Sequence, residues 1–201
     1  MATHFDDALA LFEIDGMPCA IAAQDVALKK APVSVLACCP ISPGKAILII
    51  TGDIASVESS TAEILELAGS RRLDHLYLPG IHPEVVAALR GQRLGGTGES
   101  LAIIETASVA AALESADAAR KGAEVKIGRL HPASGYGGRG YFTLWGMLPD
   151  LQAAMECAIE VAGVRLLDDM IIAAPHDELG QSIFKRPWPL DPADEINCIL
   201  P

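Results

Sequence analysis

The residues of this 201-residue chain whose types and spacing could do chemistry fall into three groups. Glu13 and Glu105 offer two carboxylates, the raw material of a general acid and base. Each, however, closes an equivalent apolar segment, Leu9–Glu13 and Leu101–Glu105, so a structural role played twice is the expectation. His82 with Glu84, and His176 with Asp177 and Glu178, carry metal-ligand types. Their place at the start of a short helix points instead to capping. The five cysteines are Cys19, Cys38, Cys39, Cys157 and Cys198. An odd count does not build a disulfide framework. Cys38 and Cys39 are neighbours on a predicted strand, so their thiols face opposite sides, which disfavours shared ligation of one metal. All five read as small buried hydrophobes. There is no nucleophilic triad pattern, no P-loop and no dinucleotide fingerprint. Gly135–Gly140 is glycine-rich but lies between predicted strands, where a Rossmann turn does not occur. The expectation is therefore a protein without catalytic residues, metal or cofactor, and not an enzyme.

Composition narrows the partners. The formal net charge is -11 and the sequence pI about 4.8, which excludes a nucleic-acid backbone as the natural ligand. Apolar residues make up 51% of the chain and aromatics only 4%, so Ala, Val, Ile and Leu must build the core. Small aliphatics suit tightly packed α/β layers and broad subunit contacts. Met1–Asp7 lacks the basic-then-apolar order of a secretory leader. Apolar runs such as Ala46–Ile50 fall far short of the ~20 residues that span a bilayer. A soluble, cytoplasmic protein with no membrane partner is expected.

The strongest feature is a repeat. Leu9–Glu13 aligns with Leu101–Glu105 at an offset of 92 residues, which also pairs Asp25 with Asp117, Lys29 with Lys121, Val33 with Val125, Pro40 with Pro132 and Ser42 with Ser134. Two residues are then inserted in the second copy. The offset becomes 94 and pairs Gly44 with Gly138, Lys45 with Arg139, Gly52 with Gly146, Gly69 with Gly163, His82 with His176 and Glu84 with Glu178. Each copy is long enough to fold as a small domain. The organisation is a first domain over residues 8–91, a glycine-rich linker over 92–99, a second domain over 100–186, and a tail over 187–201. In the tail, Pro187, Pro189 and Pro192 favour extended chain while Trp188, Leu190, Ile196, Ile199 and Leu200 supply apolar anchors.

Both copies carry the same order of elements. In the first, strands are expected at Leu9–Ile14, Val33–Cys39, Ala46–Thr51 and Leu73–Leu78. Helices are expected at Met17–Ala31, ending before Pro32, at Ile54–Ala68, between an Asp53 cap and Gly69, and at Pro83–Arg90. The second copy repeats this at Leu101–Thr106, Val109–Gly122, Val125–Leu130, Gly140–Leu144, Pro149–Ala162, Arg165–Ile172 and Asp177–Phe184. A β-α-β-β-α-β order with a trailing helix is a split βαβ arrangement. The fold class is α/β (α+β), with two tandem ferredoxin-like domains.

With these residues in this order, the chain resembles the bacterial microcompartment shell domain twice over, across about Ala8–Arg90 and Ser100–Phe184. The carrying segments are Leu9–Glu13 and Leu101–Thr106, Asp25–Lys29 and Asp117–Lys121, Ser42–Lys45 and Gly135–Arg139, and Ile81–Glu84 and Pro175–Glu178. The unpermuted order is similar to one tandem class of the family. That resemblance implies a homotrimer imitating a hexamer, located in the microcompartment shell, with other shell proteins as partners and a central pore for small polar or anionic metabolites. It implies that Ser42, Pro43, Gly44 and Lys45 alternate with Gly135, Tyr136, Gly137, Gly138 and Arg139 around that pore. It also implies that Lys29 and Lys121 meet neighbouring shell tiles, although Gly80 and Ala174 stand where the family has a companion arginine. Cluster-bearing relatives place a cysteine where Ser42 stands here, and a hydroxyl is a poor substitute for thiolate at iron–sulfur sites, so no cluster is expected. The competing expectations are a small-molecule-binding regulatory trimer and an electron-conducting shell protein with such a cluster.

Overall fold

The computed structural model describes residues 7–92, 99–131 and 136–179. The chain divides into two compact units, between Ile81 and His82. In the first, β1 (Ala8–Asp15), α1 (Met17–Lys30), β2 (Ser34–Ile41), β3 (Lys45–Gly52), α2 (Ile54–Ala68) and β4 (Arg72–Pro79) follow in order. The sheet runs β2-β3-β1-β4 and every neighbouring pair is antiparallel. In the second, β5 (Ser100–Thr106), α4 (Val109–Gly122), β6 (Lys126–His131), β7 (Gly140–Gly146), α5 (Leu148–Ala162) and β8 (Leu166–Ala173) repeat the plan, with sheet order β6-β7-β5-β8. This is the split βαβ fold expected of each copy.

Local chemistry sets the element ends. Helix α1 has Pro18 in its first turn, and α2 starts at Asp53, whose carboxylate accepts from the Ser56 amide at 2.9 Å. Glycines 69 and 163 end α2 and α5 at positive φ, 48° and 52°, where a side chain would be strained. In the first unit Ala8, Ala10, Phe12 and Ile14 of β1 pack with Ala20, Ala23 and Ala27 of α1 and Val57 and Ile64 of α2. Alanines on α1 let the helix lie close to the sheet.

The copies solve equivalent contacts differently. Lys30 and Glu63 form an ion pair between α1 and α2. At the matching positions Gly122 and Cys157 pack so closely that a Cβ on Gly122 would sit 2.5 Å from the Cys157 Sγ. On β2 and β3 the first copy holds Leu36 and Thr51, and the second holds Gly128 and Trp145. A Cβ on Gly128 would lie 2.6 Å from the Trp145 Nε1. Bulk has moved from one strand to its neighbour.

Helix α3 (Pro83–Leu89) closes the first sequence repeat, yet it packs against β6 and α4 and belongs to the second compact unit. The repeat boundary and the packing boundary therefore differ. The sequence places the joint in the glycine-rich stretch, whereas the burial of Val85, Val86 and Leu89 draws the helix to the second sheet. The expected helix at Asp177–Phe184 and the tail over 187–201 lie largely or wholly outside the described residues, which end at Leu179.

Candidate functional site

The turn joining β2 to β3 carries Ser42, Pro43 and Gly44, all exposed. The Gly44 amide donates to the Ile41 carbonyl at 3.1 Å and Gly44 sits at φ 94°, a conformation that needs glycine. Lys45 opens β3. Its ammonium donates to Glu13 at 3.1 Å, and the Glu13 side chain is fully buried in β1. The recurring glutamate thus anchors the cation that follows the turn.

The matching turn between β6 and β7 is built alike, with an added aromatic group. Gly137 and Gly138 sit at φ 61° and 83°, and the Arg139 amide donates to the Tyr136 carbonyl at 3.1 Å. Glu105 accepts from the Arg139 guanidinium at 2.8 Å and from the Tyr136 hydroxyl at 2.9 Å. That bond and its negative charge push the Tyr136 phenol upward from its ordinary pKa, and the same carboxylate raises that of Arg139. His131 stacks at a tilt on Tyr141 with centroids 4.9 Å apart, and Tyr136 meets both rings edge-on at 6.1 and 5.8 Å. Gly135 lies outside the described residues. Both loop cations are thus compensated by a carboxylate, which reduces the positive potential they project.

His131 and Tyr141 escaped the sequence reading. Cys39 and Ile47 stand at their places in the first copy, so no repeated pattern marks them. The Glu13 and Glu105 pairings were within reach, since glutamate and cation recur together.

The residues near the first turn do not fit an iron–sulfur cluster. Ser42 offers a hydroxyl, a hard oxygen in place of a soft thiolate. Cys38 packs against the helix-side core, where burial pushes its thiol pKa up, and Cys39 is buried. Among the described residues no group of three or more His, Cys, Asp or Glu is arranged to hold a metal. Nor is any helix among them long and apolar enough to cross a membrane.

The closing segments are caps, as their position implied. His82 Nδ1 accepts from the Glu84 amide at 3.2 Å, and His176 Nδ1 accepts from the Glu178 amide at 3.2 Å. Burial, then the nearby Arg120, lowers the His82 pKa. Lys29 and Lys121 each pair with an aspartate four residues earlier, Asp25 and Asp117. Both ammonium groups remain substantially exposed on the last turn of their helices, where a cation also complements the helix dipole.

The comparison with known families decides what this doubled fold is. A family model described as the BMC domain matches residues 8–81 and again 100–175. The chain belongs to the bacterial microcompartment shell protein family. It is 34% identical over 180 residues to the bacterial microcompartment shell protein PduT of Citrobacter freundii, covering 89% of this chain and 98% of that one. Among solved structures, a microcompartment protein of Desulfitobacterium hafniense superposes with a TM-score of 0.81 at 32% identity, over 87% of this chain and 98% of the other. The fused permuted hexameric shell protein of the RMM microcompartment superposes with a TM-score of 0.58 over 78% of this chain and 84% of its own, at 21% identity, which shows a shared fold alone. This shell protein therefore carries two BMC domains, and its place is the microcompartment shell.

Proposed function

We propose that this shell protein is structural and non-catalytic. Three chains close a pseudohexameric ring whose central pore passes small polar or anionic metabolites, and the ring sits among other shell proteins. The single observation that carries this reading is that two copies of one sheet topology present their β2–β3 and β6–β7 turns at equivalent positions. Six such domains then have a cyclic solution, since a closed ring needs each flank to meet its neighbour in one repeated way. Ser42, Pro43 and Gly44 of the first turn and Gly135 to Gly138 of the second would alternate at the hole. Because Lys45 and Arg139 are charge-compensated, selection there rests on width and on hydrogen bonding from turn backbone, hydroxyl and phenol rather than on long-range attraction. Lys29 and Lys121 are assigned to contacts between tiles.

Two measurements test this. Analytical ultracentrifugation should give the mass of three chains, and a monomer overturns the reading. In assembled shells enclosing an enzyme, Ser42→Glu should slow turnover of an externally added anionic substrate at least severalfold, because it places three carboxylates around the axis. Unchanged turnover removes the pore assignment.

A further inference from the structure

Within the second unit, the seating of α3 on α4 and β6 is a template for a contact that α1 and β2 do not make among the described residues. The His82 amide donates to Asp117 Oδ1 at 2.7 Å. Lys121 holds the other oxygen, Oδ2, of the same carboxylate. Next to it, Glu84 accepts from Arg120 at 3.3 Å and from Lys126 at 3.0 Å, while Arg120 Nε lies 3.2 Å from Glu84 in ion-pair range but off hydrogen-bond geometry. Burial pushes the Glu84 carboxyl upward in pKa, but the two cations outweigh it and the net shift is downward.

The first unit keeps half of this arrangement. Asp25 and Lys29 match Asp117 and Lys121 and form the same pair. But Asp25 is 57% exposed where Asp117 is 5% exposed. Ile21 is 57% exposed, whereas its counterpart Leu113 is fully buried. Leu28, at the place of Arg120, is 48% exposed. The other half stands at the end of the second unit. His176 and Glu178 repeat the His82 and Glu84 cap, and the Leu179 amide donates to the His176 carbonyl at 2.9 Å, as the Val85 amide does to His82 at 2.9 Å. His176, Asp177 and Glu178 are exposed. Leu179 and Ile183 retain the apolar spacing of Val85 and Leu89.

We infer that the exposed flank of α1 and the start of β2, centred on Ile21, Asp25 and Leu28, receives residues 176–179 from a second copy of this chain. The partner's His176 amide donates to Asp25 Oδ1, and its Leu179 covers Ile21. This rests on the ring reading and deepens it, because the contact within one chain becomes the contact between chains. It also carries a built-in weakness. Leu28 and Ser34 stand where Arg120 and Lys126 pair with Glu84, so Glu178 enters this joint without its two cations. The seam between chains is held by less charge pairing than the seam within a chain.

The test restores what is missing. Leu28→Arg copies the Arg120 position onto an exposed site, and sedimentation equilibrium across a dilution series reads ring stability. The variant should dissociate at about tenfold lower concentration than the unmodified chain, as expected of a partly buried charge-assisted pair. Adding Glu178→Gln should abolish that gain, and Asp25→Ala alone should shift dissociation about tenfold the other way while leaving the unfolding of the single chain unchanged. If Leu28→Arg gains nothing, or gains equally with Glu178→Gln, the seam is wrong although the ring stands. If the unmodified chain is a monomer at every concentration, the ring itself is wrong and the seam falls with it.

Discussion

The two turns that share one plan in this molecule are not equally committed. In the first, a fully buried glutamate holds a lysine, and the turn itself is small and exposed. In the second, a partly exposed glutamate serves both an arginine and a tyrosine, and that tyrosine joins two further rings. The same strand position thus acts as an internal anchor in one copy and as the hub of a surface network in the other. Fusion of two copies in one chain makes that divergence possible, because neither copy must any longer fit itself. The exchanges elsewhere follow the same rule: Lys30 with Glu63 against Gly122 with Cys157, and Leu36 with Thr51 against Gly128 with Trp145. Partners changed together, and the backbone plan stayed.

Mutations can break or sharpen this contrast. The largest effect is expected at the anchor. Glu13→Ala removes a buried carboxylate and strands the Lys45 ammonium, at a cost of about 3 kcal/mol in denaturant unfolding. Glu105→Ala, at the more exposed hub, should cost clearly less, and equal losses would erase the distinction. Next comes the exchange of bulk. Gly128→Leu forces a side chain into Trp145 and should lose about 2 kcal/mol. Combining it with Trp145→Thr rebuilds the first copy's pair and should recover most of that loss, so a sum of two losses would refute compensation. The smallest effect lies at a helix start. Asp53 caps α2, whereas Met147, its counterpart on α5, makes no side-chain cap. The hydrogen bonds from Ser56 hold the Asp53 carboxyl below its usual pKa. Its stabilisation is therefore present above the unfolded-state pKa and is lost as acid protonates the folded carboxylate. Asp53→Asn should flatten the acid limb of the stability profile slightly, and Met147→Asp should steepen it.

Much of this was legible beforehand, for physical reasons. The repeat imposed one element order on both halves, and proline, glycine and Asp53 fixed the helix ends to within a residue or two. The caps at His82 and His176 followed from their place before a helix. The strand ends ran longer than the apolar pattern suggested, as at Lys45 and Gly146, since backbone pairing continues past the last buried side chain. Two features left no local trace. The ring cluster of His131, Tyr136 and Tyr141 brings together residues from two strands and the turn between them, with no counterpart in the other copy. The seating of α3 depends on which sheet gains its apolar face, and neighbours in sequence do not decide that.

That helix has a consequence for how the chain can be taken apart. The sequence repeat still pairs His82 and Glu84 with His176 and Glu178, but the compact units part after Ile81, so repeat and packing are out of step by one clasp. A cut in the glycine-rich stretch would leave the later half without the piece that engages Asp117 and Arg120. Severing the peptide just before His82 would respect the packing instead, and the fragment it released would carry a borrowed ending from its predecessor.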